Sequence, residues 1–345
     1  MLTPNDRVAI LLEDGIKGHH GKTGLAFLRY SQSNIVAVID RACEGKSLKT
    51  LTGIERDIPI VSDVSAALAH QPNVLLIGIA PSGGQLPPNL EQEVAKAIDA
   101  GISIINGLHT LLNPLYPHLK PSQWIWDIRQ EPSGLSIGKA RARSLKARRI
   151  LTVGTDMAIG KMSASLEIHR AAIEQGIKAQ FIATGQAGIA IARQGIALDA
   201  VRVDFAAGAV EKTVLELGKD RDLIIIEGQG SLLHPGSTAT LPLIRGSQPT
   251  GLILVHRAGA KHIRDLPDIM IPPLPEVIQL YETVASAGGT YGDVKVKAIA
   301  LNTYGMDTPA AKDAIESTAQ VTGLPCSDVV RFRGNTLLPA IATQS

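Results

Sequence analysis

Cysteine is nearly absent from this chain: Cys43 and Cys326 are the only two in 345 residues. Standing so far apart, they make no metal-ligand spacing and suit a reducing cytoplasm. Long apolar runs are also missing. None approaches the roughly 18 residues that a membrane helix needs, and the N-terminus reads without a basic leader or cleavage pattern. Charge of one sign is not in excess. A formal net charge of +2 is too small to make nucleic acid or a membrane the partner of the whole protein, so the expected partners are a small-molecule substrate and further copies of the chain. There is no solenoid-period repeat and no low-complexity segment. Aromatics make up only 3% of residues. The dominance of Ala, Ile, Leu, Val and Gly that replaces them favours α/β architecture with buried parallel strands, and the length suits two domains.

What the chain does have is the stretch 149–163, RILTVGTDMAIGKMS. A run rich in β-branched residues leads to Gly154, a short loop, Gly160, Lys161 and then a pattern of helical period: strand, phosphate loop, helix. Inward-turned backbone N–H groups, the positive end of the following helix and the lysine ammonium together favour an anion. The commonest form of such a loop has four residues between the glycines and a hydroxyl residue directly after the lysine. Here five intervene and Met162 follows Lys161, while Ser163 lies about 100° further round the helix. The expectation is a phosphate or carboxylate site made by Gly154, Thr155, Asp156, Gly160, Lys161, Met162 and Ser163. ATP hydrolysis is less well supported, and no resident metal is expected.

Before this loop, residues 8–12 read as a strand, 13–24 as a polar loop holding Gly15, Gly18, Gly21 and Lys22, 25–30 as a helix and 34–40 as a strand ending in an acid. That order is the first half of a dinucleotide-type fold. A buried strand at 73–80 breaks into Pro81, Ser82, Gly83 and Gly84, an amphipathic helix covers 89–100, and a strand at 102–105 leads into 106–109, so both loops fall at one rim of a sheet. An edge strand at 124–128 precedes a boundary near 131–134, which predicts domains at 1–135 and 136–345. After the boundary the basic run 139–149 reads as a solvated linker helix. In the second domain a helix at 161–175 is followed by a strand at 179–183, which opens into a glycine loop at 184–188 with Gly185 and Gln186. A short strand then passes into a helix with Asp204 at the turn. Residues 222–226 are the most strongly β-forming run, followed by Glu227, Gly228, Gln229 and, further on, His234. An acid ending the strand beside a phosphate loop is expected to face the anion or its metal. A strand at 250–256 ends at Arg257, residues 267–275 read as proline-rich and nonhelical, 276–287 as a helix, 296–301 as a strand leading to Asn302, and 310–320 as a helix. The expected fold class is α/β with two doubly wound domains, an N-terminal Rossmann-like one and a C-terminal P-loop NTPase-like one.

Several of these motifs resemble known families. GTDMAIGK is similar to the GTDxxxGKT loop of dethiobiotin synthetase, EGQGSLLHP to its VEGAGGLLVP segment, and Asn302 to its strand-end asparagine that contacts a nucleotide base. Residues 8–110 resemble the CoA-binding domain of acyl-CoA ligases. The pairing of the two, together with GTDMAIGKMS, ATGQAG, VDFAAGAVE, EGQGSLLHP and ALNT, resembles over essentially the full length a bacterial family first catalogued without function, whose members have been assigned as D-glutamate N-acetyltransferases using acetyl-CoA. In that family Met after the lysine is usual.

The resemblance implies acetyl transfer to an amino acid. That chemistry requires a neutral amine, an anion site and donors for a tetrahedral oxyanion. Candidate bases are Glu227, His234, Asp204 and Asp156, with Glu227 or His234 preferred. Lys161 and Arg257 are the candidate partners of substrate carboxylates. The two glycine-rich loops of the first domain, the phosphate loop, Gly185, Gln186, Gly228, Gln229 and Asn302 are candidate cosubstrate contacts. Two other classes stay open: an ATP- and magnesium-dependent ligase or kinase that forms an acyl phosphate, and a non-catalytic nucleotide- or CoA-binding regulator.

Overall fold

The computed structural model describes residues 2–18, 20–81 and 83–342. The chain divides into two compact units. One is Met1–Glu131 with Gln186–Ala200, and the other is Pro132–Gly185 with Val201–Ser345.

The first unit is built on a six-stranded parallel sheet. Its strands are β1 (Arg7–Leu11), β2 (Asn34–Ile39), β3 (Ile60–Val61), β4 (Val74–Ile77), β5 (Ser103–Asn106) and β6 (Ile125–Asp127), in the order β3-β2-β1-β4-β5-β6. This is the arrangement expected of a Rossmann-like unit, in which loops at the carboxyl ends of the central strands share one rim. Residues such as Leu11, Ile39, Ile77 and Ile104 are fully shielded from solvent, as strands covered on both faces require.

The second unit repeats the principle. Strands β7 (Arg148–Gly154), β8 (Ala179–Ile182), β9 (Leu223–Ile226), β10 (Gly251–Arg257), β13 (Val296–Asn302) and β14 (Cys326–Ser327) form a second parallel sheet in the order β14-β13-β10-β7-β9-β8. Between β10 and β13 the chain makes a separate antiparallel hairpin of β11 (His262–Ile263) and β12 (Leu266–Met270). The strand β7 is central, flanked by β10 and β9, so the loop that follows it has neighbours on both sides. The expected two-domain α/β class is thus the observed one.

Several local expectations need correction. The first helix starts at Lys22, not at 25. The backbones of Gly15 and Gly21 touch, so that a Cβ on Gly15 would stand 2.9 Å from Gly21 Cα, and this tight loop delivers the chain into the helix early. The expected loop at 184–188 is largely helix, Gln186–Ala192: burial of Ile189 and Ala190 outweighs the low propensity of Gly188. No strand precedes Asp204, only the short turn Leu198–Ala200, and Asp204 lies in the first turn of the Val203–Leu217 helix. The linker helix reduces to one turn, Arg141–Ser144. Its fixed point is the buried Glu211 carboxylate, which accepts the Lys139 and Arg141 backbone N–H groups at 3.1 and 2.5 Å and Arg141 Nε at 2.7 Å. Part of the proline-rich stretch is strand β12, which has β11 as its partner, and a helix at Thr240–Ser247 contains Pro242 in its first turn, where a missing N–H is tolerated.

Candidate active site

The site of the second unit grows from the end of β7. Gly154 closes the strand, Ala158 and Gly160 take positive φ values of 54° and 110°, and the helix Lys161–Glu174 begins directly after. Lys161 turns back across the loop, only 6% exposed, and its Nζ donates to the Asp156 carbonyl at 2.6 Å. A Cβ on Gly154 would come within 3.2 Å of that Nζ, so glycine there makes room for the lysine. Burial pushes the Lys161 ammonium down to about 8, against the opposing pull of the Asp156 and Glu227 carboxylates. The result is a shielded cation still protonated at neutral pH, at the positive end of a helix.

Three side chains hold the loop from outside. The Tyr281 hydroxyl, fully buried, donates to the Gly154 carbonyl at 2.7 Å and accepts the Leu232 N–H at 3.1 Å. Thr155 Oγ1 bonds His256 Nδ1 at 2.9 Å; burial pushes His256 down to about 4, which leaves the ring neutral. Asn302 Nδ2 donates to the Ile159 carbonyl at 2.9 Å. In this structure Asn302 therefore supports the loop backbone. Asp156 is buried with both carboxylate oxygens engaged by main-chain donors, Met157 N at 2.6 Å and Arg264 N at 2.7 Å. Met162 and Ser163 are half-buried in the first turn of the helix.

The end of β9 meets this loop. Glu227 is buried, and its Oε2 accepts Thr184 N at 2.9 Å and Gly185 N at 3.3 Å, which fixes the carboxylate. Gly228 donates its N–H to Thr152 Oγ1 at 2.8 Å, and the same hydroxyl bonds Ser165 at 3.1 Å. No side chain fits at 228, because a Cβ would run into the Thr152 carbonyl. Gln229 Nε2 donates to the Thr184 carbonyl at 2.5 Å. His234 is half-buried, with Nδ1 accepting the Gly236 N–H at 3.0 Å. Arg257 is exposed at the end of β10, and Asp204 is exposed on its helix.

The structure thus brings together the phosphate loop, Gly185, Glu227, Gly228, Gln229 and Asn302. Gln186 belongs to the first unit, where its amide takes Arg129 Nη2 at 3.0 Å and reaches Thr23 at 3.4 Å. In that unit the loop of Gly15, Gly18, Gly21 and Lys22 follows β1, and Pro81, Gly83 and Gly84 follow the adjacent β4, with Ala80 N bonded to His20 O at 2.6 Å. Ser82 lies outside the described residues. The sequence reading missed His256, Tyr281, Thr152 and the Arg264 main chain. Only His256 had a signal, since it ends a strand at the rim that carries Gly154 and Glu227.

Comparison with known proteins agrees with this architecture. The model of the DUF1611 C-terminal domain, described as a P-loop domain of unknown function, matches residues 136–338, and the N-terminal Rossmann-like DUF1611 domain matches 41–131. A protein of a Pseudoalteromonas species named D-glutamate N-acetyltransferase is 37% identical over 74% of this chain and 77% of its own length. One of the same name from Tritonibacter scottomollicae is 32% identical over 80% of this chain and 83% of its own. The crystal structure of a DUF1611 family protein from Anabaena variabilis superposes with a TM-score of 0.95 at 60% identity, covering 98% of this chain and 99% of that one. A Rossmann-like unit followed by a P-loop unit is what this chain shares with the family to which it belongs, DUF1611.

Proposed function

We propose that the protein is an acetyl-CoA-dependent N-acetyltransferase acting on D-glutamate or a similar acidic amino acid. The observation that carries the reading is the identity, over about three quarters of the chain, to relatives bearing that name. The geometry of the second unit supports it. Lys161 supplies a shielded cation for the CoA phosphates or a substrate carboxylate, and Arg257 stands at the same rim for a second anionic group. At the position after the lysine the thioether of Met162 offers no hard oxygen ligand, so the site is better matched to anion binding than to magnesium-assisted phosphoryl transfer.

In the transfer, the substrate amine attacks the thioester carbonyl, the C–N bond forms, the C–S bond breaks and sulfur leaves as the CoA thiol. The surplus amine proton passes to a base, which returns it to the departing sulfur to complete the thiol. We assign that base as Glu227, a buried carboxylate whose charge acts on Lys161 and whose Oε2 is held by the Thr184 and Gly185 N–H groups. His234 is the weaker candidate, because its Nδ1 already accepts the Gly236 N–H. Asp156 has both oxygens occupied by main-chain donors, and Asp204 is exposed at a helix start.

Incubating the purified full chain with acetyl-CoA and a panel of D- and L-amino acids should release free thiol, with acidic amino acids preferred. Silence across the panel would sink the reading, and magnesium-dependent ADP release from ATP would favour a ligase instead. Glu227→Gln should lower turnover by about 10²-fold or more while acetyl-CoA binding persists.

A further inference from the structure

The hairpin of β11 and β12 is joined to the second unit by very little. Among the described residues its two strands pair with each other and with no other strand. Of residues 261–270, Ile263 alone is buried and Leu266 half-buried, while the rest are exposed. Its polar tie is Asp156 Oδ2, which accepts the Arg264 N–H at 2.7 Å. The same residue, through its main-chain carbonyl, holds Lys161 Nζ at 2.6 Å, and its other carboxylate oxygen accepts Met157 N at 2.6 Å. One buried residue thus carries the cation of the phosphate loop on its backbone and the hairpin on its side chain.

We propose that Asp156 is a positioning residue that couples the anion site to the hairpin. An anion arriving at the loop competes with the Asp156 carbonyl for the Lys161 ammonium. When Nζ turns to the anion, the Asp156 peptide loses its donor and resettles, and the carboxylate transmits that shift to Arg264. The hairpin carries Arg264 and follows directly on Lys261, so its movement changes where these two cations stand while the anion is bound. The inference rests on the phosphate loop being an anion site, and not on which acyl acceptor the enzyme uses.

The test is amide hydrogen exchange on the full-length protein, with inorganic pyrophosphate and, separately, acetyl-CoA as probes, and calorimetry to establish occupancy. In the wild type the Arg264 amide should be protected, and exchange across 262–270 should change on probe binding. Asp156→Asn turns its NH2 to one of the two N–H donors and leaves the other only a neutral acceptor, so protection at 264 should fall in either orientation, by about tenfold or more where the NH2 faces Arg264. In that variant the probe-dependent change across 262–270 should vanish, while exchange in β10 and β13 stays as in the wild type. Arg264→Ala keeps the backbone donor and should behave as wild type. Arg264→Pro removes the donor, leaves Asp156 in place, and should likewise abolish the probe-dependent change in the remaining amides of 262–270. Undiminished protection at 264 in Asp156→Asn would overturn the proposal. So would a hairpin that does not respond to a bound probe, or calorimetry showing that neither probe binds. If the coupling appears but no amino acid is acetylated, the proposed activity fails and the coupling stands.

Discussion

Lys161 is the residue whose environment makes the sharpest demand. Its ammonium is buried and its pKa falls to about 8 from 10.5, because the protein returns less solvation than water did. Between those two values the unfolded chain binds a proton that the folded protein does not, so stability attributable to this residue rises with pH across that window and is lowest below about 8. Binding an anion reverses the preference and favours the charged form. Affinity for acetyl-CoA or pyrophosphate should therefore be flat below pH 8 and fall about tenfold per unit above it, with proton uptake on binding near pH 8 to 9. Isothermal titration in buffers of different ionisation enthalpy would measure both, and a flat affinity through pH 10 would remove Lys161 from the site. Lys161→Met should abolish anion binding yet leave the protein as stable at pH 7 or more so, because it deletes a buried charge that the fold holds for binding. Chemical denaturation beside ligand titration separates the two outcomes.

Among the elements, the helix Leu274–Ala285 reaches the site with the Tyr281 hydroxyl, which joins Gly154 at the end of β7 to Leu232 after β9. Tyr281→Phe leaves a carbonyl and an N–H without that partner. It should cost about 1–3 kcal/mol, read as a fall in melting temperature of about 2–4 °C per kcal/mol. An unchanged melting curve would mean that the loops relax onto other partners. Glu211 does the same for the segment that leads into β7. Burial would raise its pKa, but the hydrogen bonds from Arg141 and Lys139 outweigh that and hold it below the usual value of 4.5. The stability it supplies is present above that value and lost as pH falls through the lower folded one. A pH series of denaturation curves on Glu211→Gln should lose this acid-side dependence. These elements also show what the sequence could reveal. The strand, glycines and lysine of the phosphate loop were readable because local chemistry alone specifies them. So was Glu227, since an acid ending a strand has few other readings. Tyr281 was not, because an aromatic on the buried stripe of a helix reads as core, and the bond that gives it a role spans 127 residues. The Gln186–Ala192 helix was hidden because Thr-Gly-Gln-Ala-Gly carries loop residues, and only burial of its apolar side chains makes it helical.

For the molecule as a whole, the segment Gln186–Ala200 sets the conditions under which the first unit can be studied. The boundary at 131/132 is where a linker would be cut, yet this later segment belongs to the first unit. There Gln186 receives Arg129 Nη2 at 3.0 Å, Asp199 pairs with the same guanidinium at 2.7 Å, and Arg193 reaches Ser33 at 3.3 Å. The Arg129 side chain is only 9% exposed in the full chain, and a fragment ending at 131 loses both the Gln186 amide and the Asp199 carboxylate that lie against it. Asp199 is one third exposed, which keeps the ion-pair part of the loss to about 1–3 kcal/mol, below the figure for a fully buried pair. The apolar contacts of Ile189 and Ala190 are lost in addition. We therefore expect residues 1–131, expressed alone, to melt at lower temperature than the same residues within the full chain, followed by exchange of the β1, β4 and β5 amides. Adding a peptide of residues 184–202 should restore part of the difference, and the same peptide with Asp199→Asn should restore less. A fragment that melts with the full chain and ignores the peptide would show that residues 1–131 hold themselves together without the returning segment.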